Sequence, residues 1–371
     1  MTARPAEPSG GLRARSPIGW DTAERVATRV AGREPLQDSY HYASLQADFD
    51  ELTAEAELLV GETTGLVSAA GPARARVVDR AGWVTANVAS FQRLLRPVVD
   101  RFASRISGPV APVGRLITGA QVGALLGFMS TRVLGQYDLL VLEDEQPEQQ
   151  DLVYYVGPNI LALEKRYSFP PREFRLWLAL HEVTHRAQFT GVPWLRAHYL
   201  GLVEEVLDVA DIDASRLLAA LRRVVDEVSH GRNPLAEGGL PALLATPEQR
   251  LVFSRLNGLM SLLEGHGDIT MDRAGAARIP SAERFGQVLR QRRQHANPLL
   301  KLLLQAVGFE AKLAQYEAGE RFIEAVEDAG GPALLERVWE RPEHLPTLEE
   351  VGEPARWVTR MRASGPVAPT I

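Results

Sequence analysis

A mainly α-helical protein with one small β element is predicted by three features of this sequence. Apolar residues recur at three- and four-residue steps over long stretches. Gly and Pro punctuate those stretches at helix-length intervals. Only two short runs, residues 138–142 and 152–156, have the β-branched and aromatic character of strands, and they predict a hairpin. The 371 residues are 45% hydrophobic, enough for a large core. No composition shift marks a linker, so residues 20–362 are expected to form a single domain. Residues 1–19, rich in Pro, Gly, Arg and Ser without an apolar run, and residues 363–371 are expected to be flexible tails.

Residues 21–60 read as helical, with a break near Gly32 and Pro35. After Gly71-Pro72, residues 76–95 read as one amphipathic helix, with Asp79 and Asn87 as polar groups that fasten it in place, the alternative being that they face the site. Residues 117–133 carry Gly119, Gly123 and Gly127 four apart. That spacing lets two helices approach closely, while the length is short for a membrane span. The predicted hairpin follows, and one of its strands would offer a free edge to an extended peptide, with Tyr154 or Tyr155 lining the cleft. Helices are expected again over residues 194–228, 247–271, 281–294 and 298–329.

Between the hairpin and those last helices lies Pro170-Pro171-Arg172-Glu173-Phe174-Arg175-Leu176-Trp177-Leu178-Ala179-Leu180-His181-Glu182-Val183-Thr184-His185. Two prolines suit a first helical turn, whose N–H groups have no partner. His181 and His185 continue the apolar stripe of Phe174, Trp177 and Leu178, so they point inward. Four-residue spacing lets two imidazoles converge on one tetrahedral zinc, while Glu182, one position round, can serve as general base to a water that the metal acidifies. The plainer alternative is a pair of packed, hydrogen-bonded histidines.

A third ligand must come from farther along. The metzincin continuation fails, because Gln188 and Gly191 stand where its glycine and third histidine belong. Leu262-Leu263-Glu264-Gly265-His266-Gly267-Asp268 instead resembles the E-x-x-x-D element of thermolysin-like enzymes, with Glu264 as ligand and Asp268 orienting a ligand imidazole. Glu204, Glu205, Asp208, Asp211 and Asp213 are rival carboxylates. His266 and Tyr316 are candidates to stabilise an oxyanion, and either could equally be a packed residue.

The formal net charge of -6 argues against a general nucleic-acid binder. The absence of cysteine removes thiolate ligands and suits a cytoplasmic protein.

Several segments together resemble a known family: Asp79-Arg80-Ala81-Gly82-Trp83-Val84 through Phe91, Tyr155-Val156-Gly157-Pro158-Asn159, Leu180-His181-Glu182-Val183-Thr184-His185-Arg186, Leu262-Leu263-Glu264-Gly265-His266, and residues 308–322. These resemble the large zincin-like hydrolases of high-GC bacteria that genome context links to a deazaflavin coenzyme. The resemblance spans residues 19–360 and implies a mainly helical zincin-like fold and a zinc metallopeptidase. A peptide or small amide is therefore the expected substrate. The rival expectation from another class is a metal-stabilised scaffold without turnover. The sequence leaves the oligomeric state open.

Overall fold

The computed structural model describes residues 16–36 apart from 17, 33 and 35, then 39–95, 111–139, 151–208, 247–294 and 309–364. These residues are mainly helical, with a small three-stranded sheet. The chain divides into two compact units, Met1–Leu58 with Ala70–Arg186, and Leu59–Ala69 with Ala187–Ile371.

The first unit contains helix α1 (Trp20–Ala31) and most of α2 (Tyr40–Thr64), strand β1 (Arg74–Val78), α3 (Arg80–Leu94) and α4 (Ala111–Ser130). It continues with β2 (Gly135–Tyr137), β3 (Leu152–Val156), α5 (Gly157–Tyr167) and most of α6 (Pro171–Gly191). The break after α1 falls at Gly32, whose φ of 67° is easy only for glycine. The glycines of α4 do what their spacing implies. A Cβ on Gly119, Gly123 or Gly127 would lie within 2.5 Å of the backbone oxygen of Gly19, Ala23 or Ala27, so α4 presses directly on α1. Trp20, Ala27, Trp83, Val84, Val88, Leu126 and Val156 form the core beneath that contact.

The sheet corrects two expectations. Residues 76–78 do not open a helix: they belong to β1, which pairs parallel with β3. β-Branched Val77 and Val78 favour the strand. Asp79 then stops it, with extended backbone (φ −78°, ψ 176°) and a carboxylate that accepts the Gly82 N–H at 2.6 Å as a helix N-cap. The first hairpin strand is Gly135–Tyr137, not residues 138–142. Its register with β3 is framed by bonds from Val156 N–H to Leu134 O (2.8 Å) and from Asp138 N–H to Leu152 O (3.0 Å). Residues 140–142 lie outside the described residues.

β3 is the central strand, in the order β1-β3-β2, and every residue of it is buried. Burial on both faces explains its unbroken Leu-Val-Tyr-Tyr-Val run. Tyr155, 0% exposed, faces the core and not a cleft. Tyr155 stacks on Phe49 with ring centroids 3.8 Å apart and shares a 2.8 Å hydrogen bond with Thr53 Oγ1. Tyr154 is buried as well. Among the described strands β2 is the edge strand that pairs antiparallel.

The second unit contains α7 (Leu195–Asp208), α8 (Pro247–Gly275), α9 (Ala282–Gln294), α10 (Phe309–Gly330) and α11 (Pro332–Glu336). Two 3₁₀ turns, Arg337–Trp339 and Pro342–His344, lead to α12 (Leu348–Gly352) and α13 (Pro354–Ala363). α8 and α10 cross at glycines: a Cβ on Gly265 would fall 2.3 Å from Gly319 C, and one on Gly319 would fall 1.9 Å from Ser261 O. Their apolar faces share a core of Leu262, Phe322, Ile323, Val326, Val338 and Trp357. No described helix is long and apolar enough to cross a membrane.

Candidate metal centre

Helix α6 is gripped by two buried arginines eleven residues apart, which places them on one helix face. Arg175 makes a bidentate pair with Glu164, both bonds 2.8 Å, and a further ion pair with Asp48. Arg186 is 1% exposed and donates to Asp151 (2.9 and 2.6 Å), Glu57 (2.6 Å) and the Gly71 carbonyl (2.5 Å). Pinned at both ends, α6 holds His181, Glu182 and His185 on a fixed frame.

The two imidazoles converge. Their Nε2 atoms are 3.3 Å apart, with ring centroids 4.7 Å apart and planes at 84°. Two nitrogens at zinc-bond length from one tetrahedral ion would stand roughly 3.3 Å apart, so this pair has the separation that a shared ion requires. Glu264 supplies the third candidate. His181 and His185 are half-buried and Glu264 is buried. Two imidazoles and a carboxylate form a donor set typical of catalytic zinc.

Glu182 occupies a different environment. It is 8% exposed, and its Oε2 accepts the backbone N–H of Tyr137 at 3.1 Å, on the outer edge of β2. A Cβ on Gly135 would lie 2.7 Å from Glu182 Cγ and Oε1, so glycine is needed for this approach. The sequence did not mark Gly135 or Tyr137, because one contributes a missing side chain and the other a backbone N–H.

Gln188, the residue that breaks the metzincin pattern, also has a place. Its amide nitrogen donates to Leu263 O and lies against His266 Nδ1, both at 3.0 Å. Since an amide NH₂ can only donate, Nδ1 is the acceptor and the proton of His266 sits on Nε2. The His266 ring also meets Trp339 edge-on at 5.2 Å. Asp268 lies one helical turn after Glu264 on α8, hence on the same face. Tyr316 lies on α10, but its side chain falls outside the described residues. Of the rival carboxylates, Glu204 and Glu205 are exposed, and the side chains of Asp208, Asp211 and Asp213 lie outside the described residues. Tyr199, which spacing gave no reason to select, packs edge-on against Phe189 at 5.6 Å. Burial and then the charge of Glu264 raise its phenol above the ordinary range.

A zincin-like metallopeptidase family model matches residues 18–358, nearly the whole chain. The chain belongs to that family. Among solved structures, this zincin-like protein is similar to one described as a crystal structure of a putative hydrolase with a novel fold from Chloroflexus aurantiacus. The identity is 31%, and the match covers 94% of this chain and 100% of that one with a TM-score of 0.70. No curated protein matches it. Membership implies a metal ion, and His181 and His185 have the separation needed to bind it.

Proposed function

We propose that this zincin-like protein is a zinc-dependent hydrolase acting on peptide bonds. His181, His185 and Glu264 hold the metal, Glu182 is the general base, and Asp268 orients a ligand imidazole. The observation that carries the reading is the 3.3 Å separation of the two imidazole nitrogens. Zinc, when bound there, supplies a Lewis acid that lowers the pKa of a coordinated water and polarises a carbonyl.

Glu182 would accept the proton of an attacking water and could return it to the leaving amine. Its neighbours support this role: burial keeps bulk water away, and the Tyr137 N–H fixes one carboxylate oxygen. A peptide is favoured over a small amide because the matching family is one of zincin-like metallopeptidases. The His266 Nε2–H is the donor we assign to the oxyanion, with Tyr316 as the alternative.

The test is a peptide library incubated with zinc-loaded protein and read by mass spectrometry, beside Glu182→Gln. Cleavage by the wild type should fall on the order of 10²–10⁴-fold in the variant, with zinc content unchanged. Equal cleavage by both proteins would contradict the general base. A zinc-loaded wild type that cleaves no peptide would contradict the peptidase reading and turn attention to small amides or to a scaffold without turnover.

A further inference from the structure

The polar side chains of two sequence segments outside the metal motif, residues 79–91 and 155–159, converge on the short strand β2 and the turn that enters it. Trp83 Nε1 donates to Gln136 Oε1 at 2.8 Å. Asn87 and Gln136 exchange amide bonds, Asn87 Nδ2 to Gln136 Oε1 at 3.3 Å and Gln136 Nε2 to Asn87 Oδ1 at 3.2 Å. Asn87 Nδ2 also donates to Trp83 O at 2.9 Å, which fixes which way its amide faces. Trp83 and Asn87 are buried, at 2% and 8% exposure. One turn earlier, Asn159 Nδ2 donates to the carbonyls of Ser130 and Val133, both at 2.7 Å, while its Oδ1 accepts from Arg80 Nε at 2.8 Å.

β2 has only three paired positions with β3, and it opens on glycine, a poor strand former. Side chains alternate along a strand, so Gln136 faces away from the side on which a Gly135 Cβ would meet Glu182. The strand is thus held from one face by Gln136, while its other face and outer edge receive Glu182.

We propose that Gln136, gripped by Trp83 and Asn87, is a positioning residue that holds β2 in the register seating the Glu182 carboxylate against Gly135 and the Tyr137 N–H. The proposal rests on the reading of Glu182 as general base. Its reach is geometric: a slip of β2 by a fraction of an ångström moves the proton acceptor and leaves the metal ligands untouched, and misplacements of about 1 Å cost on the order of 10²-fold in rate.

The test uses the full-length zinc-loaded protein and the variants Gln136→Leu, Gln136→Glu and Glu182→Ala. Hydrogen exchange at the Tyr137 amide is the primary readout, because that N–H points away from β3 and is held by Glu182. In Gln136→Leu the Tyr137 amide should exchange about ten-fold faster or more, while Asp138 and Val156, bonded within the ladder, stay protected. Glu182→Ala should give the same acceleration. On any peptide the wild type cleaves, Gln136→Leu should lose kcat by roughly 10–100-fold with little change in KM. Gln136→Glu keeps the acceptor that both Trp83 and Asn87 use and should recover most of both properties.

A folded Gln136→Leu with wild-type Tyr137 exchange overturns the proposal, as does faster exchange with unchanged kcat. If Glu182→Gln leaves hydrolysis intact, the general-base reading fails, and exchange alone then shows whether the clamp seats the carboxylate. Should Gln136→Leu not fold, Asn87→Leu, which removes both amide bonds to Gln136 at similar side-chain volume, carries the same expectations at smaller size.

Discussion

The convergence of His181 and His185 around Glu182 was legible because it depends only on four-residue spacing along a helix. Their surroundings were not. Gly135 acts through the absence of a side chain and Tyr137 through its backbone N–H, and neither property leaves a pattern in the sequence. Gln188 was visible only as a broken motif, whereas in the fold its amide bridges Leu263 and His266. Acid sensitivity also belongs at this scale. Burial, then the nearby Arg255 charge, lowers the pKa of His198 below its ordinary 6.5. Between that lowered value and 6.5 the unfolded chain binds the proton more readily than the fold, so stability falls as pH drops through this window. His198→Gln should flatten that slope in urea titrations at pH 7 and pH 5.5. An unchanged slope would mean that other groups carry it.

At the scale of elements, the helices were readable and the strand boundaries were not. The long apolar periods and the Gly32 break sufficed for α1, α2, α6 and α8. By contrast, β1 was absorbed into a helical pattern, because Val77 and Val78 fit either period and only the extended Asp79 cap separates strand from helix. β2 was displaced because Gly135 and Gln136 lack strand character, and their place is set by pairing to β3 and by the Gln136 clamp. The glycine spacing in α4 makes a quantitative claim. A Cβ at Gly123 would lie 2.3 Å from Ala23 O and 2.9 Å from Val26 Cβ, backbone and branched carbon that cannot swing aside. Gly123→Val should therefore destabilise by roughly 3 kcal/mol or more, seen as a lower urea midpoint. Gly114→Ala in the same helix, where a Cβ meets nothing within 4 Å, should be neutral or slightly stabilising. Equal effects at both sites would contradict direct contact between α1 and α4.

At the scale of the molecule, the mainly helical class and the zincin-like family were both accessible from the sequence, since each rests on many residues at once. The division into two compact units was not, because two of its boundaries fall inside the continuous helices α2 and α6. Such a passage carries none of the Gly, Pro or Ser enrichment by which linkers are recognised. The central claim at this scale is the metal centre, both of whose histidines lie on α6. The measurement that bears most directly on this is the metal content of untagged protein purified without chelator, beside His185→Ala and Glu264→Ala, by inductively coupled plasma mass spectrometry. About one zinc per chain in the wild type, lost or strongly weakened in both folded variants, is the expected result. No bound metal in folded wild type, even after zinc is added, or zinc retained at full occupancy in Glu264→Ala, would contradict the three-ligand centre.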